Sequence, residues 1–155
     1  MQFNSVIIQK KKKLNILLKP NIMRGSIKIP SDMSNTYRAE NFVDKIAEDL
    51  NIGDEMYGNI SVCIVEAVSN AIQHGNESDV TKIVTLEYIY ENKVLEFVVK
   101  DEGEGFIMES VPDPTLPENI ENFKGRGIFL ITHLSDKVEF NNNGSKVTLK
   151  FNVNK

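Results

Sequence analysis

Three groups of residues in this 155-residue sequence have types and spacings that could do chemistry. The first is Glu66 and Asn70, whose side chains would point the same way on a helix because they lie one turn apart. A carboxylate can act as a general base, and an amide oxygen can bind a hard cation such as Mg²⁺ without adding charge. A plain solvated helix face would show the same spacing, so the pair alone leaves both interpretations open.

The second group is Asp101-Glu102-Gly103-Glu104-Gly105, which directly follows an apolar strand. An Asp at a strand end can accept a hydrogen bond from an exocyclic amine, and the glycines let the backbone approach a flat ring. A dinucleotide fingerprint would need a glycine where the chain has Met108, and a calcium loop would need other ligands later in the segment. An acidic turn without chemistry is also compatible with this segment.

The third group is Gly125-Arg126-Gly127, at the start of a short apolar helix. Exposed N–H groups at a helix N-terminus attract phosphate, and an arginine adds further donors. No Walker-type phosphate loop occurs in the sequence. A loop-to-helix junction with a solvated arginine is the alternative interpretation.

Periodicity and turn residues predict the elements that carry these groups. Hairpin-paired strands and grouped helices favour an α+β fold, a two-layer sandwich with a mostly antiparallel sheet and helices on one face. The predicted elements are strand Ser26–Ile29, helix Met33–Leu50, a helix capped by Asp54 and running to His74, strands Val80–Tyr90 and Val94–Lys100, helix Gly127–Leu134, and strands Val138–Phe140 and Lys146–Val153.

Composition narrows the class of protein. A net charge of −4 disfavours general nucleic-acid binding, and the apolar runs are too short to span a bilayer. One cysteine, Cys63, gives neither an internal disulfide nor a zinc site, so a reduced, cytoplasmic, single-domain protein is expected. We predict a domain over residues 25–155, preceded by a basic extension over residues 1–24 that either contacts a partner through Lys10–Lys13 or does not pack.

In chain order, the three groups resemble the motifs of the Bergerat (GHKL) ATPase fold, the histidine kinase-like superfamily that includes gyrase and the histidine kinases. Within it, the segments Glu66–Gly75 and Gly125–Ile131 look most like the anti-sigma factor serine kinases. The resemblance covers the chain from about Ser26 to Val153.

The resemblance implies a role for each matching residue. Glu66 corresponds to the general base and Asn70 to the Mg²⁺ ligand, while Asp101 corresponds to the acid that reads the adenine amino group. Gly103 and Gly105 would lie beside the adenine ring. ATP and Mg²⁺ are therefore the expected nucleotide and metal.

The resemblance also covers the segment that follows the adenine loop. Phe106–Lys124 corresponds to the ATP lid, and Gly125, Arg126 and Gly127 correspond to its phosphate-contacting end. Ser145 stands where relatives commonly have Thr, and its hydroxyl is expected to support Asp101.

Partners follow from the same resemblance, which implies that a sigma factor and its antagonist contact the first helix. Arg38 corresponds to a partner-contacting arginine, and Glu40, Asn41 and Asp44 are expected to face solvent beside it. The family's active form also implies a homodimer.

The leading hypothesis is an ATP-dependent serine/threonine kinase that acts as an anti-sigma factor, phosphorylating an anti-anti-sigma protein and sequestering a sigma factor. The alternatives are a nucleotide-dependent binding module without catalysis and an ATP hydrolase of the same fold.

Overall fold

The computed structural model describes residues 22–105 and 126–153. Within these ranges, two helices separate the first strand from the other four, and a third helix follows strand three. The elements are β1 (Met23–Pro30), α1 (Tyr37–Leu50), α2 (Asp54–Asn70), β2 (Ile83–Glu91), β3 (Val94–Lys100), α3 (Arg126–Leu134), β4 (Lys137–Asn141) and β5 (Lys146–Asn152).

The five strands form one antiparallel sheet in the order β1-β2-β3-β5-β4. Side chains alternate between the two faces, so residues such as Leu86 and Val99, which are paired across β2 and β3, are both buried. The predicted edge strand is confirmed at β1, where Met23 pairs with Tyr90. The last residues of the predicted extension, Met23 and Arg24, therefore belong to the sheet.

The helices cover the inner face of the sheet and enclose the core with it. Val43 and Ile64, from the apolar stripes of α1 and α2, are at most 1% exposed, as are Phe97 and Phe151 of the sheet. The rings of Phe97 and Phe151 meet edge to face with centroids 6.4 Å apart. Burying one such side chain contributes about 1.5–3 kcal/mol. The predicted α+β two-layer sandwich is confirmed.

Both long helices differ from their predicted limits. The first predicted helix begins as a single 3₁₀ turn over Met33–Asn35, whose cap is Asp32, and continues as α1. The prediction that Asp54 caps the second helix is wrong, because Gly53 has the extended backbone of a cap and Asp54 is the first helical residue.

Two tight turns explain how neighbouring strands pair. Asn92 and Lys93 have φ values of 51° and 68°, which match the right-handed twist of a hairpin between β2 and β3. Asn143 and Gly144, with φ values of 52° and 90°, turn the chain from β4 into β5. Both hairpins were expected from the sequence, and β5 brings Ser145 to the end of β3.

A candidate nucleotide site

The last turn of α2 holds the first predicted pair. Glu66 and Asn70 are half-buried, and both lie against Gly127 of α3. A Cβ atom at position 127 would lie 3.3 Å from Asn70 Nδ2 and closer still to Glu66 Oε2. Glycine therefore allows α3 to approach the two side chains that could act as base and cation ligand.

A turn of π-helix over Ala71–Gly75 follows α2, where the sequence predicts a continuous helix to His74. The wider turn carries Gly75 to the end of β3, against the carboxylate of Asp101. The side chains of Gln73 and His74 in this turn are exposed. The π turn replaces the predicted α-helical turn because Gly75 must reach the sheet at this point.

The loop after β3 is held by its own backbone N–H groups. The N–H of Asp101 donates to the Ser145 carbonyl at 3.0 Å, and the N–H of Gly103 donates to Asp101 Oδ1 at 2.9 Å. Gly103 also packs directly on the carbonyl of Gly75, and Gly105 has a φ of 84°. Asp101, Gly103 and Gly75 thus form one compact group at the end of β3.

The Ser145 group that accepts from Asp101 is its main-chain carbonyl, which any residue type at this position would also supply. The prediction that the Ser145 hydroxyl supports Asp101 remains a prediction.

Burial changes the acid–base properties of two groups near the site. The pKa of Asp101 is raised by burial, although the Gly103 N–H and Lys82 oppose the shift. The pKa of the buried Cys63 thiol is raised to about 12, by desolvation first and by the Glu66 charge second. Cys63, which is fully buried in the core, is therefore a packing residue.

A small cavity of about 20 Å³ lies between Asn70, at the end of α2, and Asp101, directly after β3. Asn70 contributes an amide to its wall and Asp101 a carboxylate. Most of the wall is formed by apolar side chains from β3, α3, β4 and β5: Val99, Ile128, Ile131, Phe140 and Val147. An apolar wall with one carboxylate matches a flat heteroaromatic base that carries an amino group. A space of this size holds about one water molecule, so admitting such a base requires the walls to move apart.

Among residues 22–105 and 126–153, no group of three or more His, Cys, Asp or Glu side chains could hold a metal ion. A cation here would depend on the Asn70 amide oxygen together with oxygens of a bound phosphate. Mg²⁺ prefers oxygen ligands and commonly takes few from protein and several from substrate phosphates. The donor set therefore fits Mg²⁺ bound together with a nucleotide.

The remaining predicted residues lie at the edge of the described structure or away from it. Arg126 is exposed at the first residue of α3, while Gly125 and the predicted lid over Phe106–Lys124 lie outside the described residues. Arg38 is exposed on α1, as expected. Asp44, expected to face solvent, is half-buried because the Tyr57 hydroxyl from α2 donates to its carboxylate at 2.7 Å.

Sequence reasoning missed Asn76 and Ser31, two fully buried polar residues beside the loop. The Asn76 side chain accepts from the N–H of Glu102 and donates to Ser31 Oγ. The only signal in the sequence was a polar residue directly after the predicted helix end at Gly75.

No helix among the described residues has the length and apolar character needed to cross a membrane.

Known proteins resemble the chain in sequence and in fold. A serine-protein kinase RsbW from Oceanobacillus iheyensis is 28% identical over 123 residues, which cover 75% of this chain and 77% of that protein. An anti-sigma F factor from Geobacillus kaustophilus is 35% identical over 103 residues, covering 62% of this chain and 69% of that protein.

A crystal structure of the RsbU and RsbW domains of a Mycobacterium tuberculosis protein superposes with a TM-score of 0.59 at 13% identity, covering 83% of this chain and 31% of that one. At this identity the likeness concerns the fold alone. The sequence model of the histidine kinase-like ATPase domain matches residues 29–151, a range that contains every predicted site residue. The chain therefore belongs to the histidine kinase-like ATPase family.

Proposed function

We propose that the protein is an ATP-dependent serine/threonine kinase and anti-sigma factor, which phosphorylates an anti-anti-sigma protein and sequesters a sigma factor. One observation carries the proposal: Asn70 and Asp101 line a single apolar cavity, with Glu66 one helical turn from Asn70. The names of the RsbW and anti-sigma F relatives support the choice of activity and partners.

Adenine is recognised at the sheet end of the cavity. The carboxylate of Asp101 accepts a hydrogen bond from the exocyclic amino group, and Gly103 and Gly105 allow the backbone to lie beside the ring. Val99 and Val147 supply apolar contact for the ring faces. A carboxylate with a raised pKa remains an acceptor as long as the pH stays above that pKa.

Phosphate chemistry takes place at the helix end. Asn70 would hold Mg²⁺, which neutralises phosphate charge when it is bound. Arg126 and the N–H groups of Gly125 and Gly127 bind phosphate oxygens. Glu66 takes the proton of the partner's serine or threonine hydroxyl as that oxygen attacks the γ-phosphorus. The bond from the γ-phosphorus to the β,γ-bridging oxygen breaks, and ADP leaves with that oxygen. Such catalysis is mostly positioning and charge stabilisation.

The deciding experiment incubates the protein with γ-labelled ATP and an anti-anti-sigma protein. Label on the partner supports the kinase. Release of free phosphate without labelled partner would instead support an ATP hydrolase, and nucleotide binding without either product would support a binding module. Asp101→Asn serves as the pocket control, because its amide presents one acceptor oxygen where the carboxylate presents two.

Partner binding is assigned to the exposed surface of α1 around Arg38. A central arginine anchor can contribute more than 2 kcal/mol to an interface. Arg38→Glu is expected to impair binding of the sigma factor or its antagonist while leaving the ATP Kd unchanged. Wild-type binding of both partners by this variant would remove the surface from the proposal.

We also assign the protein to the cytoplasm, where a sigma factor acts. A second assignment concerns its oligomeric state, which we propose to be a homodimer. The outer face of the sheet, on which Ile89 is 44% exposed, is the surface that no helix of the described residues covers. Light scattering at micromolar concentration tests the dimer, and a monomer would refute that assignment.

A further inference from the structure

Asn76 lies where three separate segments of the chain meet. Its side chain is fully buried, and its Nδ2 donates to Ser31 Oγ at 2.8 Å, directly after β1. Its Oδ1 accepts from the N–H of Glu102 at 2.7 Å, in the loop after β3. Its own N–H donates to the Ala71 carbonyl at 2.8 Å, in the π turn after α2. One amide group therefore ties the end of α2 to two points on the sheet.

The partners fix the orientation of that amide. A backbone N–H can only donate, so the atom facing Glu102 must be the oxygen, and the nitrogen must face Ser31. Ser31 is held in turn, because its own N–H donates to the Lys82 carbonyl at 3.1 Å. Among the described residues, no buried side-chain nitrogen or oxygen lacks a partner. Both polar atoms of the Asn76 side chain therefore have a hydrogen-bond partner.

The loop held by this amide is the one assigned to adenine. Its three successive N–H groups have three different acceptors: the Ser145 carbonyl for Asp101, Asn76 Oδ1 for Glu102, and the Asp101 carboxylate for Gly103. Only the middle bond uses a side chain from another element. It is the one tertiary restraint among the three that a point substitution can delete.

We propose that Asn76 is a positioning residue for base recognition, which fixes the loop backbone so that Asp101 faces the adenine amino group. The proposal rests on the proposed function, because it takes Asp101 as the adenine contact. Asn76 is fully buried and does not line the cavity, so it acts through the backbone of Glu102. Asn70 lines the cavity from α2, and neither Asn70 nor Glu66 is a partner in the bond between Asn76 and Glu102.

The first test uses Asn76→Ala and measures Kd for ATP and for inosine triphosphate, which has a carbonyl oxygen in place of the amino group. Losing the bond to Glu102 is expected to reduce the ATP-to-inosine-triphosphate preference about tenfold, as for removal of one partner of a buried hydrogen bond. A variant that binds ATP more weakly but keeps the wild-type preference would overturn the proposal, because a merely structural role would weaken both nucleotides alike.

Ser31→Ala is the matched control. It removes the partner of Asn76 Nδ2 and leaves the bond to Glu102, so it should lower the melting temperature and keep the nucleotide preference. If Ser31→Ala reduces the preference as much as Asn76→Ala, the bond to Glu102 is not the restraint that matters.

A second measurement needs no variant and no nucleotide. Hydrogen exchange on the wild-type protein should show the Glu102 amide protected, in line with its bond to a fully buried acceptor. Rapid exchange at Glu102 would overturn the proposal even if Asn76→Ala fails to fold.

Different results would refute the adenine site at Asp101 and the positioning role of Asn76. Equal ATP affinity in wild type and Asp101→Asn would refute the adenine site, and with it the role of Asn76 in recognition. A normal Asp101→Asn effect with an unchanged preference in Asn76→Ala would refute the positioning role alone.

Discussion

Replacing Gly75 by alanine is expected to weaken ATP binding by displacing Asp101. An ideal Cβ at position 75 would lie 2.7 Å from Asp101 Oδ1 and 2.5 Å from Oδ2, where ordinary contact begins at 3.4 Å. To restore ordinary contact at Oδ2, the carboxylate must therefore retreat by about 0.9 Å, a displacement of the size that disrupts positioned groups. Rotation of the side chain offers no relief without cost, since Oδ1 already accepts from the Gly103 N–H.

The expected loss can be estimated from the bond at risk. A hydrogen bond to a charged group contributes about 1.5–3 kcal/mol, which corresponds to about a 10- to 150-fold increase in the ATP Kd. Inosine triphosphate, which offers no amino group to Asp101, should lose much less affinity. Isothermal titration calorimetry with both nucleotides measures the difference.

Gly58→Ala provides a matched control within α2. A Cβ at position 58 would meet no atom within 4 Å, so the same chemical change is made in open space. We expect it to raise the free energy of unfolding by up to about 1 kcal/mol through helix propensity, with an unchanged ATP Kd. A folded Gly75→Ala protein that binds ATP like wild type would refute the reasoning, as would an equal loss for inosine triphosphate.

Three further outcomes are expected. Glu66→Ala should keep the ATP Kd and lower phosphoryl transfer at least about 100-fold in a single-turnover assay, because a base acts in the transition state; unchanged turnover would remove Glu66 from the mechanism. Because the folded pKa of Asp101 is raised, its contribution to stability is present below the unfolded pKa and lost as pH rises through the folded pKa. The free energy of unfolding of wild type, minus that of Asp101→Asn, should therefore decrease as pH rises from the unfolded pKa to the folded pKa. A difference that is flat or that rises with pH would contradict the raised pKa of Asp101. Cys63, buried and with a pKa of about 12, should react with maleimide only after denaturation; rapid labelling of the native protein would show that the thiol is accessible.

The layout of the fold could be predicted because short-range patterns determine it. Apolar residues at helical spacing, such as Ile60, Ile64 and Val68, mark the face of α2 that meets the sheet, and all three are buried. The turn residues Asn143 and Gly144 adopt the positive φ values for which their types are suited.

The parts that could not be predicted depend on contacts between distant segments. The local sequence after Asn70 suits an α-helix as well as a π turn, and the choice follows from packing Gly75 against Asp101. Asn76 carries no local signal for a partner 26 residues away. The candidate site residues could be proposed from the sequence because the spacing of carboxylates, amides and glycines reflects their chemistry. Asn76, which restrains the loop through Glu102, could not be proposed in this way.

The π turn also determines which kinds of sequence change this site can tolerate. A π turn holds about one residue more than an α turn, so the loss of one residue from Ala71–Gly75 can be taken up by a return to ordinary α-helical winding, which keeps the residues beyond it at nearly the same rotation. An added residue has no such outlet, and it would rotate Gly75 and the buried Asn76 by about 100° away from their partners on the sheet. During divergence, this segment should therefore lose single residues more readily than it gains them.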